Sequence, residues 1–444
     1  MLIQFSVENY RSIKEEQTLS LVRNDDEEMS DNYFVSQAPA TPMLLKTAVI
    51  YGANASGKSN VIKALDVMIG IIANSFNKKP NKPILTETFL FDSHYRKQPT
   101  VYDISFVVDL INDQGELQKT RVDYGFVVDE HKVYEEWLSV YPKGREQNWF
   151  SREYKEEIAD YEWKMSDYFK GEKTSWKKQT RTDQLFLSTA VHLNSEQLQP
   201  IYRALTSRMP VIRTDRISNE ISKHLCKKSE KNKDIVIELL KAAGIVVDDI
   251  IFEKPNINLE DLPTNLPDEI INNIEEHIIS EHETFFVYYD DERQAQKINL
   301  QDESDGTQKL FEFTGLILAV LHNGDTLIVD ELNKSLHPDL VRFLVKLFNS
   351  PINTKNAQLI FTTHETSVLR NNLLRRDQIW FCEKRNDRAT ILYPLTDFKP
   401  NTNYENVEEY YLHGKYGAKP IIQEFNPSEF MEVKGVHLNV KTYN

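Results

Sequence analysis

The octapeptide 52–59 constrains the fold more than any other part of this chain. It reads GANASGKS and fits the pattern G-x-x-x-x-G-K-[ST] without a mismatch. The apolar run 44–51 before it predicts a buried strand, and the residues after it predict a helix from Lys58 to about Asn74. A strand, a glycine-containing turn and a helix in this order build a phosphate-binding loop, which indicates an α/β fold around a parallel sheet.

The residue types in this loop suit phosphate. Glycine lets the backbone approach phosphate oxygens closely, and the start of a helix adds amide donors. Lys58 is expected to bridge the β- and γ-phosphates of a nucleotide, and the Ser59 hydroxyl is expected to ligate Mg²⁺. A chance glycine-rich turn is the alternative, and the flanking strand and helix argue against it. The predicted nucleotide-binding residues of the loop are Gly52, Ala53, Asn54, Ala55, Ser56, Gly57, Lys58 and Ser59.

Two further predicted strands end in polar side chains. Residues 326–331 read TLIVDE, so Asp330 is expected to hold Mg²⁺ and Glu331 to act as the catalytic base that activates water. Residues 360–364 read IFTTH, and His364 is expected to reach the γ-phosphate and take part in catalysis. An exposed acidic strand end and an ordinary helix cap are the alternatives for these two segments.

Composition narrows the class of protein. The chain has 444 residues, and 53 Lys+Arg against 68 Asp+Glu give a net charge of −15. A nucleic-acid contact would therefore need a local basic patch. Only two cysteines are present, Cys226 and Cys382, no apolar run approaches the length of a membrane span, and no signal segment opens the chain. We expect a soluble, cytoplasmic protein without a membrane partner.

The order of predicted elements suggests a core that is split by a long central segment. Stretches rich in β-forming residues at 88–92, 101–110, 120–129 and 132–141 predict an antiparallel sheet. Helical patterns at 184–208, 215–243 and 267–280 predict a largely helical insertion. The expected fold class is α/β, with a mixed parallel sheet and helices, an antiparallel β lobe and this insertion. The predicted divisions are a core of 1–145 and 300–425, an insertion of 146–299 and a tail of 426–444.

Several short motifs, in a specific order, resemble those of the ABC-type ATPase superfamily. They are Asn9-Tyr10-Arg11-Ser12, the GANASGKS loop, residues 303–308, VDELNKSLHP, TTH and residues 411–418. The resemblance is to the branch with the SMC, RecF and overcoming-lysogenization-defect ATPases, and within it to the bacterial AAA15 group with its RloA-like defence ATPases. It covers both ends of the chain and implies an ABC-type P-loop ATPase head.

The resemblance also implies roles for residues outside the loop. Ser304 and Gly306 would belong to a signature loop that contacts the γ-phosphate of the opposite subunit, although a simple helix cap explains the same residues. Arg11 and Ser12 would contact the nucleotide, and a turn at a strand end explains them almost as well. Residues 335–337 would form the D-loop at the dimer seam. The glutamine-loop role stays open, with Gln184 and Gln197 as candidates.

The implied function is an ATP-hydrolysing switch or sensor in bacterial anti-phage defence. It would act as a homodimer or higher homo-oligomer on a separate effector protein, such as a nuclease. One alternative is a RecF-like DNA-repair or recombination ATPase that acts directly on DNA. Another is a non-catalytic, nucleotide-gated scaffold.

One segment could contact nucleic acid. Residues 161–182 carry lysines and an arginine interleaved with aromatic rings, as a groove for single strands would need. A hairpin with its aromatic rings in the core and its lysines in water is the favoured alternative. The basic residues are Lys164, Lys170, Lys173, Lys177, Lys178 and Arg181, and the aromatic residues are Trp163, Tyr168, Phe169 and Trp176.

Overall fold

The computed structural model describes residues 1–80, 82–112, 114–214, 217–254, 282–334, 336–370, 373–399 and 406–419. The strands in these ranges are β1 (Leu2–Glu8), β2 (Gln17–Ser20), β3 (Tyr33–Phe34), β4 (Leu44–Leu45), β5 (Thr47–Gly52), β6 (Thr100–Ile111), β7 (Leu117–Val128), β8 (Val133–Tyr141), β9 (Gln147–Lys155), β10 (Asp160–Met165), β11 (Val211–Arg213), β12 (Asp249–Glu253), β13 (Glu283–Tyr289), β14 (Ala295–Asn299), β15 (Thr326–Asp330), β16 (Gln358–Thr362), β17 (Ile379–Lys384) and β18 (Thr390–Pro394). The helices are α1 (Lys58–Asn74), α2 (Lys173–Gln179), α3 (Phe186–His192), α4 (Gln199–Ser207), α5 (Glu220–Lys228), α6 (Glu230–Ala242), α7 (Asp305–Asn323), α8 (Pro338–Asn349) and α9 (Val407–Leu412).

A six-stranded sheet forms the centre of the molecule, with the strand order β11-β15-β16-β5-β17-β18. Neighbouring strands are parallel except β18, which runs antiparallel to β17. Strands β5, β15 and β16 are buried along their whole length, because helices cover both faces of the sheet. Ala48 and Ile50 face α1, whereas Val49 and Tyr51 pack in the cluster that holds α7 and α8.

A seven-stranded antiparallel sheet forms a second layer, with the order β10-β9-β8-β7-β6-β1-β2. Strands β6 and β7 pair over their full length, from Thr100 opposite Val128 to Ile111 opposite Leu117. Every second residue of these strands is buried, and this inner face packs on α1, α3 and α4. Helix α1 therefore lies between the two sheets, with one end at the loop that precedes it.

A smaller unit packs on α7. Strands β12, β13 and β14 form a three-stranded sheet, and the Phe286 ring of β13 meets Phe311 of α7 at a centroid distance of 5.4 Å. Helix α5 crosses α7 where Gly315 lies against Ser222, and a Cβ at position 315 would come within 2.4 Å of the Ser222 nitrogen. Both elements therefore contact α7 near the middle of the helix, at Phe311 and Gly315.

The predicted fold class is confirmed, since the structure contains the parallel sheet with helices and the antiparallel β lobe. Helix α1 spans the predicted residues. The strand predicted at 88–92 is wrong, because the Phe89 amide donates to the Asn9 side chain at 3.0 Å instead of joining a ladder. Side-chain hydrogen bonds of this kind compete with sheet formation.

The segment 146–299 is more closely joined to the two main sheets than the sequence suggested. It supplies β9 and β10 to the antiparallel sheet and β11 to the parallel sheet beside β15. The helix predicted at 184–208 is two helices, α3 and α4, and the one at 215–243 is also two, α5 and α6, which separate at Ser229. The predicted helix at 267–280 and the tail at 426–444 lie outside the described residues. In the described ranges, no helix has the length and apolarity that crossing a membrane requires.

Candidate functional site

The candidate site lies at the carboxyl ends of three adjacent parallel strands. The order β15-β16-β5 places Asp330, Thr362 and Gly52 at the same edge of the sheet, although they are far apart in the sequence. The loop 53–57 leaves β5 at this edge and enters α1 at Lys58. Ligands of open α/β sheets bind at this edge, outside the carboxyl ends of the strands.

The loop conformation requires its glycines. Gly57 has a φ of 111°, in the left-handed region, and a Cβ there would come within 2.1 Å of Thr390 Oγ1. At Gly52, a Cβ would come within 2.3 Å of the Cys382 carbonyl oxygen. The chain therefore packs its backbone closely against β17 and β18, which leaves the opposite side of the loop for a ligand.

Lys58 is held at the centre of this loop. Its Nζ donates hydrogen bonds to the carbonyl oxygens of Gly52 at 2.8 Å and of Ala53 at 2.9 Å. Burial lowers the pKa of the Lys58 ammonium, while the charges of Asp330 and Glu331 act in the opposite direction. A buried ammonium group with only carbonyl partners gains from an incoming anion, which fits the predicted phosphate contact.

A chain of hydrogen bonds joins the loop to the two strand ends beside it. The Ser59 hydroxyl donates to Asp330 Oδ1 at 3.0 Å, and the Thr362 hydroxyl donates to the same oxygen at 2.8 Å. The Thr362 oxygen in turn accepts the backbone N–H of Glu331 at 2.7 Å. Glu331 has a φ of 59°, which is unfavourable for a residue with a Cβ, and this hydrogen bond holds it there.

These residues fit Mg²⁺ and ATP. A serine hydroxyl and an aspartate oxygen lie side by side, and oxygen ligands of this kind are those that Mg²⁺ takes beside nucleotide phosphates. Within the part of the chain that the structure describes, no group of three or more His, Cys, Asp or Glu residues could hold a metal ion by itself. The metal would therefore depend on phosphate oxygens and water for its other ligands.

His364 lies beside the same cluster. Its backbone N–H donates to Asn333 Oδ1 at 3.3 Å, and the Thr363 hydroxyl donates to the same oxygen at 3.0 Å. Burial lowers the pKa of the imidazole, and the Lys58 charge lowers it further, against the opposing charges of Glu331 and Asp330. The structure thus brings His364 within electrostatic reach of all three predicted residues, and the lowered pKa favours its neutral imidazole.

The N-terminal turn divides into two parts. Ser12 is buried against the loop, and its oxygen lies 2.7 Å from Thr390 Oγ1 and 2.7 Å from Asn60 Nδ2. Arg11 instead pairs with Glu87, and its guanidinium group is partly exposed. Ser12 therefore supports the loop from behind, while a nucleotide contact of Arg11 remains a prediction.

Ser304 is the N-cap of α7. Its oxygen accepts the Thr307 N–H at 3.2 Å, and the side chain is exposed. Tyr288 of β13 donates to the Glu303 carboxylate at 2.7 Å and so connects this loop with the three-stranded sheet. Gly306 lies in the first turn of the helix. The cap geometry agrees with the helix-cap alternative, and the predicted contact with a second subunit stays a prediction. Of the predicted D-loop, residue 335 lies outside the described residues, and His337 caps α8.

Neither candidate for the glutamine loop lies at the phosphate loop. Gln184 is buried, and its Nε2 donates to the Phe76 carbonyl oxygen at 2.9 Å, beyond the far end of α1. A helix of 17 residues is about 25 Å long, so Gln184 is far from Lys58. Gln197 bonds to the backbone of Tyr168 and Lys170. The structure therefore removes both residues from the nucleotide site.

In the segment 161–182, most of the aromatic rings are packed in the interior instead of forming an open groove. Phe169 and Trp176 are buried, and Trp163 packs against Phe186 at a centroid distance of 5.0 Å. Only Tyr168 among the four rings is largely exposed, at 61%. The alternative with aromatic rings in the core is confirmed, except that β10 is followed by helix α2 instead of a second strand.

Sequence reasoning assigned no individual role to four residues that shape the site: Asn60, Asn333, Thr362 and Thr390. Thr362 ends a predicted buried strand and is the first residue of TTH, so its place in that motif was a usable signal. Thr390 had no local signal, because its contact with Ser56 spans 334 positions of sequence.

The sheets, the loop and the strand-end carboxylates together define a P-loop nucleotide-binding domain of the ATPase class. A family model matches residues 48–175 and 214–370, more than half of the chain, and is described as "AAA domain, putative AbiEii toxin, Type IV TA system". The chain belongs to this family. No curated protein matches the sequence.

Three solved structures illustrate a distant likeness to SMC head domains, each at 12% sequence identity and covering 88% of this chain. One is an SMC head bound to the C-terminal winged-helix domain of ScpA, with a TM-score of 0.39 over 97% of that chain. The second is the SMC head domain from Thermotoga maritima, with a TM-score of 0.37 over 98% of that chain. The third is an SMC head with an extended coiled coil, bound to the C-terminal domain of ScpA derived from Pyrococcus furiosus, with a TM-score of 0.32 over 96% of that chain.

Proposed function

We propose that this chain is a Mg²⁺-dependent ATPase that works as a switch in bacterial anti-phage defence, as a dimer that controls a separate effector protein. The observation that carries the ATPase part is the hydrogen-bonded series Ser59, Asp330, Thr362 and Glu331. It connects the metal-binding groups to the backbone N–H of the base through the Thr362 hydroxyl, at the ends of two adjacent strands. A nucleotide at the loop would therefore meet a preformed catalytic arrangement.

Each group at the site has a separate role in the proposed ATP hydrolysis. Loop amides and Lys58 hold the phosphates, while Ser59 and Asp330 hold Mg²⁺. When bound there, Mg²⁺ would supply positive charge to the phosphate oxygens. Glu331 accepts a proton from the attacking water, and neutral His364 donates a hydrogen bond to a γ-phosphate oxygen. Each role uses a group at the same edge of the parallel sheet.

A dimer is proposed because the signature segment faces solvent. Ser304 is exposed, and it begins a helix of 19 residues whose N-terminal amides favour an anion. In a head-to-tail dimer this helix start would meet the γ-phosphate bound by the other copy. ATP binding would then favour one dimer geometry, and an effector responds if its affinity for the two geometries differs.

A separate effector is proposed because, within the described residues, no group of three or more His, Cys, Asp or Glu offers a second metal-dependent catalytic centre. The net charge of −15 also disfavours general DNA coating by this chain. We therefore propose that the signal passes to a protein partner, and we expect no nuclease activity from the chain alone.

Glu331→Gln tests the ATPase proposal. The amide keeps the shape but removes the base, so the variant should bind ATP normally and hydrolyse it about 10²- to 10⁴-fold more slowly. Steady-state phosphate release and direct ATP binding measure the two effects. The control is Glu153→Gln, which alters an exposed carboxylate of β9 and should leave both unchanged. A near-normal hydrolysis rate for Glu331→Gln would remove Glu331 from catalysis.

Mixed subunits test the dimer. Ser304→Arg and Lys58→Ala damage different halves of the shared site, so a heterodimer of the two should regain one intact site. Heterodimers that are shown to form but recover no activity would contradict the shared geometry.

Two other results would favour the alternative functions. Strong stimulation of ATP hydrolysis by DNA, without a protein partner, would favour the repair ATPase. Unchanged signalling by a variant that binds ATP but does not hydrolyse it would favour the scaffold.

A further inference from the structure

Thr390 lies directly behind the phosphate loop, fully buried at the start of β18. Its hydroxyl donates to the Ser56 carbonyl oxygen at 2.8 Å and lies 2.7 Å from Ser12 Oγ. Its backbone N–H donates to the Ser12 carbonyl oxygen at 2.7 Å. The side chain also fills the space that a Cβ at Gly57 would need. No predicted role of the site includes this residue.

The direction of these hydrogen bonds follows from the chemistry of the partners. A carbonyl oxygen only accepts, so the single Thr390 proton goes to Ser56. Thr390 must then accept the Ser12 proton, and Ser12 accepts from the Asn60 amide at 2.7 Å. The hydrogen bonds therefore all run in one direction. Asn60 of α1 donates to Ser12, Ser12 donates to Thr390 of β18, and Thr390 donates to the Ser56 carbonyl oxygen in the loop.

This series fixes the orientation of one peptide plane in the loop. The carbonyl oxygen and the N–H of a trans peptide point in opposite directions. Because the Ser56 carbonyl points at Thr390, the N–H of Gly57 points away from β18, toward the open side of the loop. A flipped peptide would instead place a carbonyl oxygen on that side, where it would repel phosphate.

We propose that Thr390 is a positioning residue that holds the phosphate loop in its binding conformation before nucleotide arrives. This inference rests on the proposed ATP binding and adds a residue far from the loop in sequence. It predicts that the Thr390 hydroxyl contributes to ATP affinity and has little effect on the hydrolytic step, because Glu331 and Asp330 are held by β15 and β16.

Thr390→Val tests this role, since valine keeps the shape and removes the hydroxyl. The Ser56 carbonyl then keeps only the weak thiol donor of Cys382 at 3.5 Å, and the Ser12 hydroxyl proton loses its acceptor, so the Kd for Mg²⁺-ATP should rise about 5- to 100-fold. Thr390→Ser restores the hydroxyl and should return the Kd to within about 3-fold of wild type. The rate at saturating ATP should change far less than the KM for ATP.

Thr189→Val is the matched control. Thr189 is also fully buried and donates to one backbone carbonyl, that of Leu185 at 3.1 Å, but it lies on α3. Both valine variants should lose similar stability in urea unfolding, whereas only Thr390→Val should weaken ATP binding. Isothermal titration with Mg²⁺-ATP measures the affinity, and circular dichroism checks the fold.

The outcomes distinguish a positioning role of Thr390 from a purely structural role. A folded Thr390→Val protein with wild-type ATP affinity overturns the positioning role. If Thr390→Val does not fold, Thr390→Ala carries the same expectation. If neither folds while Thr189→Val does, Thr390 is a structural residue and the proposal is wrong. Absence of ATP binding by the wild-type chain would instead contradict the proposed ATPase function.

Discussion

Thr362→Val is the substitution that most directly tests how the strand ends build the site. Thr362 is fully buried at the end of β16, between the strand that enters the phosphate loop and the strand that carries Asp330. Valine removes one hydroxyl and changes little else. Asp330 then loses a donor at 2.8 Å, and the Glu331 amide loses an acceptor at 2.7 Å.

The size of the effect can be worked out from these two contacts. A hydrogen bond to a charged group contributes about 1.5–3 kcal/mol, and a buried amide without a partner costs about 1–3 kcal/mol. The left-handed backbone of Glu331 adds about 1–2 kcal/mol of strain that the lost bond no longer offsets. If about half of a total near 5 kcal/mol is expressed in the transition state, hydrolysis slows about 100-fold.

Steady-state phosphate release, together with ATP titration, measures this loss. We expect kcat to fall about 100-fold while ATP affinity changes only a few-fold, because the loop and Lys58 are not altered. Thr362→Ser retains the hydroxyl and should recover most of the rate, and Thr189→Val again serves as the control for a buried hydroxyl. A folded Thr362→Val protein with a kcat within 2-fold of wild type would refute the proposed coupling.

Three further predictions concern ionisable side chains. Glu136 and Arg152 form an ion pair of 2.7 Å with both side chains fully buried, so Glu136→Ala should lose about 3–5 kcal/mol in urea unfolding, whereas a loss below about 1 kcal/mol would show that Arg152 finds another partner. Burial raises the pKa of Asp103 from 3.8 to about 6, so the folded state binds more protons between these values and stability declines as pH rises through them. Asp103→Asn keeps an acceptor for the Trp137 indole and should be about 1 kcal/mol more stable than wild type near pH 8 but equal near pH 4, and parallel stability profiles would contradict this. Since the pKa of His364 is lowered, hydrolysis should decline at acidic pH as the imidazole becomes charged, and His364→Gln should lose that acidic limb if the residue acts at the site.

The parts of the fold with local causes were predictable from the sequence. The loop and α1 follow from a contiguous pattern, and α1 ends where predicted because its apolar residues keep the helical period up to Ile72. Asp330 and Glu331 were predictable because a short apolar run ended at them. In each of these cases, the residues that decide the structure are neighbours in the chain.

The remaining features depend on strand order, which no local pattern specifies. Thr362 supports Asp330 only because β16 lies between β5 and β15, and Thr390 reaches the loop only because β18 pairs with β17. The three-residue strand β11 was missed because it is too short to show a period. The strand predicted at 88–92 is absent because the Phe89 N–H donates to the Asn9 side-chain oxygen instead of to a neighbouring strand.

Two buried threonines therefore hold the two halves of the site from opposite sides of β5. Thr390 fixes the loop through β17 and β18, while Thr362 fixes the metal and base groups through β16 and β15. The two sides meet at α1, where Asn60 bonds to Ser12 and the adjacent Ser59 bonds to Asp330. A shift of α1 between the sheets would disturb both halves together. The chain just beyond the far end of α1 is also bonded to the antiparallel sheet, because Gln184 donates to the Phe76 carbonyl oxygen and its own carbonyl oxygen accepts from Arg152 of β9.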